Sequence, residues 1–108
     1  MEHKSKILTF IGFALRARKV RCGVNAVTSI KKKVKLLILC QTASENTFKD
    51  AVSLAKKLSA KLVISKKYKI EELVFKEHCK LIAIEDNSLA IAILQNLDDD
   101  FIEYSEGN

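Results

Sequence analysis

Lys35-Leu36-Leu37-Ile38-Leu39-Cys40, followed after a short polar interval by Ser44-Glu45-Asn46-Thr47-Phe48 and its continuation to Leu58, decides how this chain folds. The uninterrupted apolar core of the first stretch predicts a strand covered on both faces. In the second, Phe48, Ala51, Val52, Ala55 and Leu58 recur at the spacing of one helical face. Thr42 and Glu45 fit a capping box at its start, and Ser44 competes as the N-cap.

The same alternation extends in both directions. Downstream, Lys61–Ser65 predicts a second buried strand, Lys69–Phe75 a short helix with Ile70, Leu73 and Val74 inward, and Lys80–Glu85 a third strand. Asp86-Asn87-Ser88 supplies capping chemistry for a last helix ending near Leu97, with Ala90, Ile93, Leu94 and Leu97 on its face. Upstream, Ile7, Leu8, Ile11 and Leu15 mark a first helix over residues 4–17, and Lys19–Cys22 predicts a short edge strand. Gly23 then breaks the pattern before a helical run carrying Val24, Val27 and Ile30. Helices alternating with buried strands specify an α/β sandwich. Residues 1–97 read as one domain, since proline is absent and no linker or repeat interrupts them. Residues 98–108 are acidic and weakly patterned; a partly disordered tail is expected, with Phe101, Ile102 and Tyr104 available to dock as a short extension.

At 108 residues and 48% hydrophobic, the chain can bury one core. Its three cysteines are odd in number and widely spaced, which does not suggest a disulfide framework. With no signal-peptide pattern and no membrane-length apolar run, a soluble cytoplasmic protein is expected.

Charge is unevenly placed. Residues 1–54 carry 11 Lys/Arg against 3 Asp/Glu, a net +8, whereas residues 55–108 carry 8 against 10, a net −2. No acid occurs from His3 through Ser44, where ten bases do. Such a one-signed stretch suits a polyanion, although composition alone equally admits a generic basic surface.

Catalytic constellations are missing from the pattern. His78 and Cys79 are adjacent but have no further Cys or His at zinc-site spacing, and three scattered glycines make no phosphate loop. No nucleophile elbow or paired catalytic carboxylates appear. A protein that is not an enzyme, with no metal and no cofactor, is expected. The basic residues Arg16, Arg18, Lys19 and Arg21 instead surround the junction at Gly23, Val24 and Asn25. There glycine permits close backbone approach and Asn25 offers a donor pair and an acceptor. Lys31, Lys32 and Lys33 follow at the far end of the second helical run. They suit phosphate, and equally meet the C-terminal end of a helix dipole.

Gly12-Phe13-Ala14-Leu15-Arg16-Ala17-Arg18-Lys19-Val20 with Gly23, then Leu36–Cys40, then Ala43-Ser44-Glu45-Asn46-Thr47, resembles the bacterial branch of the ribosomal L-seven-Ae / L-thirty-e family. The resemblance extends to about Leu97. It implies a three-layer α/β/α sandwich with a central mixed sheet, and binding of kink-turn RNA, a sharply bent duplex with sheared G·A pairs whose widened groove receives the N-terminus of the second helix. It implies Gly23 and Asn25 as contacts, Ser44 and Asn46 near the same edge, and a second RNA loop at Val74–His78, with Val74 and Phe75 against extruded nucleotides. Ala26 and Ser29 stand where the family's fuller motif has Glu and Lys, which removes one guanine acceptor and one phosphate contact. The expected partner is structured RNA, ribosomal RNA and the ribosome included, bound by a monomer. The alternative is a protein-interaction module of the same fold in the translation apparatus.

Overall fold

The computed structural model describes residues 5–105. Ten elements follow in order: α1 (Lys6–Arg16), β1 (Val20–Cys22), α2 (Val24–Thr28), β2 (Leu36–Cys40), α3 (Glu45–Leu58), β3 (Lys61–Ser65), α4 (Ile70–Leu73), β4 (Leu81–Ile84), α5 (Asn87–Gln95) and β5 (Phe101–Tyr104). The sheet order is β1-β4-β2-β3-β5. Only β2 and β3 run parallel; the other three pairings are antiparallel, so the sheet is mixed.

The unbroken apolar run of β2 has the physical cause its pattern implied. All five of its residues are buried, because β2 lies at the centre of the sheet with helices on both faces. Alternate residues feed two cores. Leu36, Ile38 and Cys40 meet Ile7 and Ile11 of α1, Ile70 of α4 and Ile93 of α5. Leu37 and Leu39 meet Val27 of α2 and Ala51, Leu54 and Leu58 of α3. The molecule is therefore a three-layer α/β/α sandwich. Its helix starts are fixed by side chains: Ser5 accepts from the Ile7 amide, Ser44 from Thr47 and Asp86 from Leu89. Ser44, and not Thr42, caps α3.

Two expectations are modified by the structure. The extension expected to dock at Phe101, Ile102 and Tyr104 is a full strand, β5, that completes the sheet, so the described chain from Asp98 to Ser105 belongs to the domain; residues 106–108 lie outside the described part. Phe101 is fully buried and stacks on Tyr68 at 5.8 Å, while Tyr104 meets the Phe48 ring edge-on at 5.0 Å. Burying one such ring contributes about 2–3 kcal/mol. Asp98 shapes the turn into β5, its Oδ1 accepting from the amides of Asp100 and Phe101 at 2.9 and 3.1 Å. Secondly, α2 stops at Thr28. Ile30 and Val34 are buried without being helical, which extends an apolar periodicity past the end of the helix. Lys31, Lys32 and Lys33 therefore lie in the connection to β2 and not on a helix terminus.

Strand registers divide the molecule into two ends. The Gly23 amide donates to the Leu81 carbonyl at the start of β4, whereas the Lys19 carbonyl accepts from the Glu85 amide just past its finish. Four residue steps at about 3.3 Å each separate these ends by roughly 13 Å. The start of α2 belongs to the first end, and the connection leading into Leu36, the partner of Ile84, belongs to the second.

Candidate functional site

At the first end, Gly23 is the N-cap of α2 with φ 92° and ψ 156°, a region essentially confined to glycine. A Cβ there would meet nothing within 4 Å, so backbone conformation and not space requires the glycine. The turn delivers Val24 and Asn25 into a cleft of about 360 Å³ shared with Cys22, Thr47, His78 and Lys80. Three separate segments thus converge: the β1–α2 junction, the first turn of α3 and the loop before β4. Asn25 is exposed, and its amide group has no hydrogen-bond partner among the described residues. It presents two donors and an acceptor to whatever enters.

The cleft's cation is tethered. Lys80 Nζ donates to Thr42 Oγ1 at 2.9 Å and to Glu71 Oε2, tying the β2–α3 loop to α4. That hydrogen bond, helped by the opposite charge, holds the Glu71 carboxyl below its usual range and lifts the Lys80 ammonium above its own. Both stay charged at neutral pH, and Lys80 reaches the cleft as half of an ion pair. Behind it, Cys79 is buried. Desolvation, then the neighbouring Cys22 thiol, push its pKa up to about 12, so it is a neutral packing group and not a nucleophile.

The loop from Val74 to Lys80 holds Phe75 at φ 57° and His78 at φ 63°, left-handed conformations that cost non-glycine residues about 1–2 kcal/mol each. The turn at Phe75 separates the two residues expected to face RNA. Val74 is only 7% exposed and packs into the core, as its inward helix position implied, while Phe75 is 90% exposed. Phe75 does not line the Gly23 cleft. It flanks a separate groove with Thr9, Gly12, Leu15 and Arg16 along α1, where the Arg16 guanidinium lies 5.1 Å from the Phe13 ring centroid.

The remaining expected residues fall into two groups. Ser44 and Asn46 are exposed in and beside the first turn of α3, next to Thr47, but the Ser44 hydroxyl is engaged as a cap, donating to Thr47 Oγ1 and accepting from its amide. Arg18, Lys19, Arg21, Lys31, Lys32 and Lys33 belong to the opposite end. There Arg21 Nε lies 3.1 Å and Lys32 Nζ 3.9 Å from the nearly buried Glu85 carboxylate. The expected single basic face is therefore split, because β1 and α2 each carry the chain across the sheet. His78 ends the loop expected to meet RNA, whereas Thr47 and Lys80 in the cleft, and Lys57 beside Lys31–Lys33, were not among the expected contacts. Their only sequence signal was polarity next to an element boundary.

The chain matches no family model and no curated protein. Among solved structures it is similar to a protein of unknown function from Bacillus halodurans, with 22% identity, a TM-score of 0.69, and coverage of 85% of this chain and 96% of that one. That likeness shows a shared fold.

Proposed function

We propose that this protein is a non-catalytic RNA-binding protein that recognises a kink-turn or similarly bent structured RNA, ribosomal RNA included. The observation that carries this is the cleft at the start of α2, where a glycine-only turn sets an unpartnered Asn25 beside Thr47 and His78. Neutral donors and acceptors on a fixed backbone suit base edges in an opened groove, which regular A-form RNA does not present.

The test is a titration of the full chain against a kink-turn RNA and a straight duplex of equal length at one salt concentration. Tighter binding of the bent RNA is expected, and equal affinities would reject the proposal. One observation favours the alternative of a protein-docking module: the Phe75 ring stands almost wholly in solvent beside an apolar groove. On that reading, Phe75→Ala would leave RNA affinity unchanged.

A further inference from the structure

A second cleft, of about 410 Å³, opens at the opposite end of the sheet. It is walled by Thr28, Ser29, Lys31, Lys32, Lys33 and Lys57 along with two apolar residues. Its polar lining is four ammonium groups and two hydroxyls, with no carboxylate. The lysines arrive from two elements, the α2–β2 connection and the last turn of α3. A helix dipole accounts for Lys57 on α3, but not for the others, since α2 ends at Thr28 with no base in its last turn. Nor do ion pairs neutralise the group. Glu85 engages Arg21 and Lys32, while Lys31, Lys33 and Lys57 have no ion-pair partner among the described residues. Gathering like charges this way opposes folding slightly, and a bound polyanion would relieve that repulsion.

We infer that this lysine cleft is a binding site in its own right for the phosphodiester backbone of RNA, independent of base sequence and of the Gly23 cleft. Mobile ammonium groups reach successive phosphates as point charges; the Thr28 and Ser29 hydroxyls beside them already donate to the Val24 and Ala26 carbonyls, so the lysines alone supply the contacts. An anionic membrane is a poorer fit. Surface-seeking helices set apolar side chains beside their bases, and the large exposed hydrophobics Phe13, Phe75, Ile91 and Ile102 all lie outside this cleft. With the two clefts at opposite ends of β4, one molecule can hold two RNA segments at once. The inference does not require the RNA in the first cleft to be bent.

The experiment compares the wild-type chain with the quadruple variant K31Q/K32Q/K33Q/K57Q, titrating straight duplex RNA over a range of salt. Each lost phosphate contact removes about 0.7–0.9 from the slope of log K against log salt, so a slope shallower by about 3 and at least a tenfold weaker affinity are expected. Native mass spectrometry of wild type with saturating bent RNA plus duplex should show a ternary complex that the variant lacks. All four side chains are exposed; should the quadruple variant still misfold, Lys33→Gln and Lys57→Gln singly should each flatten the slope by one contact. An unchanged slope in folded variants, or binding to phosphatidylserine vesicles as tight as to RNA, overturns the inference. Loss of shape preference with this lysine dependence intact would sink the kink-turn proposal alone.

Discussion

The two ends of the sheet are built from opposite materials. At one, a turn that only glycine adopts, a left-handed His78 and a tethered Lys80 hold a nearly neutral cleft in fixed shape. At the other, Lys31, Lys32, Lys33 and Lys57 supply charge on long flexible stems, and only Lys32 reaches a carboxylate, that of Glu85 beside the cleft. Fixed neutral groups discriminate between shapes, because a partner that mismatches them leaves polar atoms unpaired. Mobile charges bind strongly and discriminate little. A protein that has both separates affinity from specificity in space, and the two become separately testable.

The largest effect on the cleft end should come from Gly23→Ala. It introduces no clash but forces alanine to φ 92°, so a loss of about 1–3 kcal/mol of stability is expected by urea denaturation, with the preference for bent RNA reduced. Gly12→Ala is the matched control. It lies inside α1 with open space where the Cβ would go, so the same substitution should stabilise by about 0.5–1 kcal/mol. If both variants lose stability alike, the backbone at Gly23 is not what fixes the cleft.

A pH-dependent effect concerns the packing behind the cleft. Because the Cys79 thiol is raised from 9.0 to about 12 in the folded state, its contribution to stability is fully present below about pH 9 and is lost as pH rises toward 12. The difference in unfolding free energy between wild type and Cys79→Ala should shrink across that window. A flat difference would mean that Cys79 is not desolvated.

The sequence carried most of the fold, for local reasons. The runs 36–39, 62–64 and 81–84 are apolar because each strand is covered on both faces, and Gly23 announced a backbone turn that no other residue makes. What stayed hidden was non-local. β5 buries one full ring and part of another, and the acidic run before it looks like tail until Asp98 is seen accepting the amides of its own turn. Ile30 continued a helical rhythm that the backbone had already abandoned. Helical spacing placed Val74 inward, but the near-complete exposure of Phe75 rests on a left-handed backbone that no periodicity reveals. The basic segment read as one face because neighbours in sequence were taken as neighbours in space, whereas the β1–β4 register sends Lys19 and Gly23 to opposite ends.

The most direct measurement is the ratio of straight-duplex to bent-RNA dissociation constants for wild type and Asn25→Ala, taken at several salt concentrations. Asn25 is exposed and makes no side-chain hydrogen bond among the described residues, so its loss should leave the melting temperature nearly unchanged. If it reads the opened groove through a paired contact, the ratio should fall by the equivalent of about 1–3 kcal/mol. The salt slope, set by the lysine end, should stay as it is. A folded Asn25→Ala protein that keeps the wild-type ratio at every salt concentration would contradict the assignment of shape recognition to the Gly23 cleft.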